Sequence, residues 1–132
     1  MKQSGRSRLA PYLQSVLRIV VAFTFTAHGT QKLFGFPGQP FHVPVLTLSL
    51  LSAAAVMEAA GGLLMLVGLL SRPVAFLLSG LMAFAYFMQH GPRGFWPIVN
   101  GGELAVLYCF VWLFFSAAGP GPLSLDALRG RA

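Results

Sequence analysis

Four apolar stretches, separated by short segments rich in glycine and proline, run along the chain. A bilayer core of about 30 Å needs roughly 20 helical residues, so these stretches predict membrane spans. The predicted spans cover about residues 11–33, 44–70, 73–89 and 101–118, between tails at 1–10 and 119–132. The expected fold is an all-α membrane protein, a bundle of four transmembrane helices. Since the last two spans are short, a re-entrant hairpin in that half is the alternative.

The composition supports a surface that faces the lipid bilayer. Hydrophobic residues make up 56% of the chain and charged residues 9%, against about 25% charged residues in soluble domains. The net charge of +6 is spread over the ends of the predicted spans, which indicates topology signals and not a nucleic-acid-binding patch.

The distribution of cations predicts the orientation. Four spans place both termini on one side of the membrane, together with most of the basic residues. These are Lys2, Arg6, Arg8, Arg72, Arg129 and Arg131. Only Lys32 and Arg93 lie on the other side, so the positive-inside rule predicts an inner-membrane protein with both termini in the cytoplasm. Arg18 interrupts the first apolar run, which favours a retained span over a cleaved signal peptide.

Glu58 is predicted to lie near the middle of the second span, where a charge costs about 3 kcal/mol on insertion scales. If the first two helices start at the same inner plane, helical rise separates Glu58 in depth from Arg18 by about 8 Å and from Lys32 by about 12 Å. Because arginine is long, Arg18 is the predicted partner in an intramembrane ion pair. The alternative is that Arg18 reaches the headgroups and Glu58 is a neutral acid bonded to a hydroxyl.

A second group of polar residues closes the first span, where His28, Gln31 and Lys32 lie within about one helical turn. Lys32 alone would be explained as an interface anchor. His28 adds a ring that titrates near neutral pH and can donate or accept a hydrogen bond. The fourth span starts at the same outer face, so Glu103 is predicted to pair with Lys32.

The segment before the fourth span supplies further candidates. Asn100 followed three residues later by Glu103 indicates a capping box, and Trp96 is predicted to cover the polar cluster. His90 is a weaker candidate in the loop, with a solvated position as the alternative. The candidate ligand-binding residues are therefore His28, Gln31, Lys32, Trp96, Asn100 and Glu103. The histidines lack the paired spacing of a metal site, and none is predicted.

The order of several short blocks resembles the DoxX family of small four-span membrane proteins. The resemblance covers about residues 14–126 and rests on Arg18, the block from His28 to Gly35, Glu58 with Gly61 and Gly62, Gly68-Leu69 and Arg72, Gly94-Phe95-Trp96-Pro97, Asn100-Gly101-Gly102-Glu103, Gly119-Pro120-Gly121, and Ser124-Leu125-Asp126. It implies the four-span fold and a connection to quinone-linked redox, since relatives include a subunit of thiosulfate:quinone oxidoreductase.

Three functions are consistent with these features. The first is a quinone-interacting or accessory subunit of a membrane redox complex, with His28, Lys32 and Glu103 at the quinone and Trp96 or Phe34 against its ring. It has no self-contained catalytic motif and no covalent cofactor, so electrons come from an oxidoreductase partner. The second is a small-molecule carrier that forms a homo-oligomer, and the third is a membrane assembly partner without a ligand.

Overall fold

The computed structural model describes residues 7–38 and 50–132, and within them the chain is helical. Residues 1–6 and the first six positions of the predicted second span lie outside the described residues. The helices are α1 (Ala10–Phe34), α2 (Leu50–Val67), α3 (Ser71–Ala85), α4 (Pro97–Asn100), α5 (Glu103–Ala118) and α6 (Leu125–Leu128). A π-helical turn, Tyr86–His90, and a 3-10 turn, Gly91–Arg93, extend α3.

The helical bundle predicted from the sequence is confirmed. Helices α1, α2 and α3 with its extension are long and apolar enough to cross a membrane, and α5 is a shorter apolar helix. Each long helix is antiparallel to the one before it. Helices α2 and α3 are joined by a short turn, and in the other two pairs the contacting residues run in opposite directions along the two helices. Helices α1 and α2 form one hairpin, and α3 and α5 form the other.

The first hairpin is tightly packed because a glycine lies at its contact. A Cβ on Gly29 would lie 2.8 Å from Ala59 Cα, closer than two carbon atoms pack. Glycine therefore lets the backbones of α1 and α2 approach each other, as small residues do between membrane helices. The same register places Thr26 beside Gly62.

Aromatic side chains fill the space between the two hairpins. The ring of Phe25 on α1 packs edge-on against Tyr108 and Trp112 of α5, with centroid distances of 5.0 and 5.3 Å. Trp112 and Phe115 are fully buried. The Tyr108 hydroxyl donates to Thr24 Oγ1 at 2.9 Å, which adds a polar contact between α1 and α5.

The C-terminal segment folds back onto the start of α1. Gln14 Nε2 donates to Gly119 O at 2.7 Å, and Leu123 N donates to Ser15 Oγ at 3.1 Å. Ser124 caps the short helix α6 by accepting from Ala127 N at 3.1 Å. The two ends of the described chain therefore meet at the same end of the bundle, which we call the terminal end.

Candidate functional site

A buried ion pair joins the first two helices. Lys32 Nζ donates to Glu58 Oε1 and Oε2 at 2.7 and 2.8 Å. The Glu58 side chain is 5% exposed and that of Lys32 is 27% exposed. The predicted pair between Arg18 and Glu58 is therefore wrong, and so is the predicted pair between Lys32 and Glu103.

The register of the hairpin explains the error. Gly29 lies level with Ala59, so Glu58 lies level with the last turns of α1 and within reach of Lys32. Helix α1 starts about three turns beyond the end of α2, and its first residues contact the C-terminal segment instead. The assumption that both helices start at one plane misplaced Glu58 by about two turns relative to α1.

Arg18 has a different role at the terminal end. It is fully buried and donates to backbone carbonyls of α2 and of the C-terminal segment. The acceptors are Met65 O (2.7 Å), Leu66 O (3.2 Å), Pro120 O (3.1 Å) and Leu123 O. The last carbonyls of a helix have no partner within that helix, and the planar guanidinium satisfies two of them while joining three parts of the chain. Gly68 is required beside it, because a Cβ there would lie 3.0 Å from Arg18 Cζ and its φ is +71°.

Asp126 caps helix α3 from the C-terminal segment. Its Oδ1 accepts from Leu70 N at 2.9 Å and its Oδ2 accepts from Ser71 N at 2.8 Å. Burial alone would raise the pKa of the Asp126 carboxyl, but the hydrogen bonds from Ser71 and Leu70 and the charge of Arg129 bring the pKa below its ordinary value. The segment predicted as a tail thus binds the bundle at two charged residues, Arg18 and Asp126.

A cavity of about 260 Å³ lies between the two hairpins at the opposite end of the bundle, beside the ion pair. Its polar lining consists of His28, Lys32, Glu58, Gln89, His90 and Tyr108. Its apolar lining includes Phe25, Leu51, Met82 and Leu104. The cavity is therefore amphipathic, with a charged pair and two imidazole rings in a wall that is otherwise largely hydrocarbon.

The two histidines of the cavity differ in their hydrogen bonds. His28 packs edge-on against Tyr108, with ring centroids 6.0 Å apart, and within the described residues its nitrogens have no hydrogen-bond partner. His90 Nδ1 lies 3.1 Å from Asn100 O, and its ring stacks on Tyr86 at 6.2 Å. His90, a weaker candidate from the sequence, lies at the cavity because the π-helical turn at the end of α3 brings its ring there.

Asn100 holds the segment that supports His90. It is 1% exposed, its Nδ2 donates to Gly94 O at 2.8 Å and Tyr86 Oη at 3.1 Å, and its Oδ1 accepts from Gly102 N at 2.8 Å. Tyr86 Oη in turn donates to Phe95 O. Asn100 does not cap α5, whose N-cap is Gly102 without a side-chain bond, so the predicted capping box is wrong.

The other candidate residues lie away from the cavity. Trp96 is 67% exposed and does not cover the polar cluster, and Phe34 is equally exposed. Gln31 Nε2 donates to Gly38 O at 3.1 Å. Glu103 begins α5 and faces outward. Of the six predicted ligand-binding residues, the structure brings only His28 and Lys32 to the cavity wall, and sequence reasoning missed Tyr108 and Gln89 there.

These features define a multi-pass helical membrane protein with a buried ion pair beside an amphipathic cavity. The family model of DoxX matches residues 13–91, which hold both members of the ion pair, and the chain belongs to the DoxX family. A protein of Haemophilus influenzae described as an uncharacterized protein is 42% identical, and the alignment covers 88% of this chain and 90% of that relative. No solved structure matches the chain.

Proposed function

We propose that the protein binds the head group of a quinone in this cavity and serves as an accessory subunit of a membrane redox complex. The observation that carries the proposal is the amphipathic cavity inside the bundle, with the Lys32–Glu58 pair and His28 in its wall. Small-molecule sites are apolar clefts with a few convergent polar groups, usually of about 300–1,000 Å³. A volume of about 260 Å³ suits a single substituted ring better than a dinucleotide or a haem.

The polar wall matches the chemistry of a quinone. A quinone carbonyl accepts hydrogen bonds, and an ammonium group carries three donors. Lys32 gives two of its three donors to Glu58, which leaves one for a ligand oxygen. His28 can supply a second donor, and Phe25 and Tyr108 replace Trp96 and Phe34 as the aromatic residues that contact the ring.

The family membership supports a redox role through relatives that are linked to quinone-dependent oxidation. In this proposal an oxidoreductase partner supplies the electrons, and the protein holds the quinone beside it. The protein lies in the inner membrane with the terminal end in the cytoplasm, so the cavity faces the outer leaflet. Reporter fusions at each terminus test this orientation, and an extracytoplasmic C-terminus would overturn it.

Co-purification tests the proposed ligand. The protein is purified in mild detergent, extracted with organic solvent and analysed for quinone by mass spectrometry. The matched variant Lys32→Gln/Glu58→Gln removes both charges from the cavity without changing the net charge, and Glu103→Gln is the control at an exposed acid. We expect near-stoichiometric quinone in the parent and in the control and little in the folded double variant. Absence of quinone from the parent, or equal amounts in all three, would contradict the proposal.

A small-molecule carrier is the second candidate, and the ion pair within the membrane favours it. Charged residues inside membrane bundles mark substrate and ion pathways, and Glu58 lies in the cavity wall. Four helices are few for a carrier, so this function requires a homo-oligomer. Reconstituted vesicles with radiolabelled aromatic compounds added to the external medium test it. Uptake that is lost in Glu58→Gln would support a carrier, and equal fluxes in protein-free vesicles would exclude it for those compounds.

A further inference from the structure

The hydrogen bond between His90 and Asn100 fixes which nitrogen of the histidine can face a ligand. His90 Nδ1 lies 3.1 Å from Asn100 O. A backbone carbonyl accepts hydrogen bonds and cannot donate them, so the proton of this bond belongs to Nδ1. In the neutral ring Nε2 then carries a lone pair and no proton. Within the part of the chain that the structure describes, Nε2 has no hydrogen-bond partner.

The surroundings hold the ring in this arrangement. Asn100 is fixed by three side-chain hydrogen bonds, and Tyr86 stacks on the imidazole. A histidine whose one nitrogen donates to a backbone carbonyl has its tautomer and orientation set by that bond. Because the ring also lines the cavity, Nε2 is the histidine nitrogen that can accept a hydrogen bond from a ligand there.

We infer that the cavity selects ligands that carry a hydroxyl group on an aromatic ring, namely phenols and the reduced hydroquinone form of a quinone. His90 Nε2 accepts the hydrogen bond from that hydroxyl. Lys32 lies elsewhere in the same wall and keeps one donor free. The wall therefore offers an acceptor at His90 and a donor at Lys32. A hydroquinone satisfies both groups, since a hydroxyl donates as well as accepts. A quinone, which only accepts, leaves the histidine nitrogen unpaired.

An unpaired buried polar group is costly, and this cost makes the cavity selective between ligands. A site built to accept a hydrogen bond from a ligand hydroxyl rejects the analogue that lacks it, because the acceptor loses water and gains no partner. One such bond corresponds to about a tenfold difference in affinity. The inference rests on the proposed function, because both assume that the cavity holds an aromatic ring.

The test uses two probes that do not undergo redox reactions under the assay conditions: para-pentylphenol and its methyl ether, para-pentylanisole. In the ether a methyl group replaces the hydroxyl proton, which removes the hydrogen-bond donor. Their dissociation constants are measured by isothermal calorimetry with the full chain in nanodiscs. The same preparation is titrated with a short-chain quinone. We expect the parent to bind the phenol about tenfold more tightly than the ether.

The matched variant is His90→Asn. The amide nitrogen of asparagine occupies a position similar to that of histidine Nδ1, so it keeps a donor for Asn100 O and removes Nε2. We expect the phenol-to-ether preference to fall to about one in His90→Asn and to persist in Glu103→Gln, a substitution at an exposed acid away from the cavity. Equal affinities of the parent for the two probes, or a preference that persists in His90→Asn, would overturn the inference.

A measurement on the parent covers the case in which His90→Asn does not fold. In protein with ¹⁵N-labelled histidine, the Nε2 resonance of one neutral Nδ1–H histidine should shift toward lower frequency when the phenol is added and not when the ether is added. Absence of that shift at saturating phenol would overturn the inference.

Tight quinone binding without a phenol preference would refute this inference alone, and phenol binding without any quinone binding would refute the proposed function alone. Failure of all three probes to bind would refute both.

Discussion

Lys32 Nζ binds both carboxylate oxygens of Glu58, at 2.7 and 2.8 Å, across the contact between α1 and α2. Each of these residues is unfavourable inside a bilayer without the other. The pair lies in the wall of the cavity, so it is also the main source of charge available to a ligand there. Its two members differ in their access to solvent, since Glu58 is almost fully buried and Lys32 is partly exposed.

This difference predicts unequal effects of the two single substitutions. Lys32→Met leaves a buried carboxylate without its partner and should lower the free energy of unfolding by about 3 kcal/mol. Glu58→Met should cost less, because the Lys32 side chain can extend to the headgroups. The double variant Lys32→Met/Glu58→Met should regain stability to within about 1 kcal/mol of the parent. Unfolding titrations in mixed micelles measure all three, and additive losses in the double variant would contradict a direct interaction.

Arg18→Lys should be destabilising although it keeps the charge. The guanidinium donates to carbonyls of α2 and of the C-terminal segment in several directions, and an ammonium on a shorter reach cannot copy this planar arrangement. Loss of two such bonds predicts a decrease of about 3 kcal/mol in the free energy of unfolding. Arg93→Lys, at an exposed arginine, is the matched control and should leave thermal stability unchanged. Equal melting temperatures of both variants would refute this role of Arg18.

Asp126 predicts an acid-dependent loss of stability. Folding lowers the pKa of its carboxyl, so the carboxylate stabilises the fold at pH values above its unfolded pKa of about 4. This contribution is lost as the pH falls through the lower, folded pKa. Asp126→Asn should therefore destabilise the protein at pH 7 and much less below the folded pKa. Thermal unfolding across this range measures the difference, with Glu103→Gln as the control, and a pH-independent effect of Asp126→Asn would argue against the charged cap.

Gly29 predicts a packing requirement in the first hairpin. A methyl group at this position meets the backbone of Ala59, so Gly29→Ala should separate the two helices and cost about 1–3 kcal/mol. Gly80 on α3 is the matched control, because nothing lies within 4 Å of a Cβ there. Gly80→Ala should be neutral or slightly stabilising, since alanine favours helix over glycine. The same loss at both positions would contradict a packing requirement specific to the contact between α1 and α2.

The sequence predicts the fold well because its main signals are local. The apolar stretches and the glycine- and proline-rich breaks between them locate the helices, and the cost of a buried charge identifies Glu58 as a residue that needs a partner. The partner itself depends on the register between α1 and α2. That register depends on how far α1 extends beyond α2, which no local pattern shows.

The cavity was harder to predict for a related reason. His28 and Lys32 lie on α1 and could be identified by their spacing, whereas Tyr108 on α5 and Leu51 on α2 reach the cavity only through tertiary packing. His90 comes to the wall through a π-helical turn, and hydrophobic periodicity gives no indication of such a turn. Asn100 was predicted to cap α5 and to bind a ligand, but its side chain holds the loop instead.

The most direct test of the central claim is to map where a quinone binds. An azido-substituted short-chain quinone is photolysed with the protein in nanodiscs, and the labelled residues are identified by mass spectrometry, with and without excess unlabelled quinone. The account predicts competable labelling at cavity residues such as Met82, Leu104 and Tyr108, and its loss in Lys32→Gln/Glu58→Gln. Labelling confined to lipid-facing residues such as Phe23 and Phe110, unaffected by unlabelled quinone, would contradict a quinone site in the bundle.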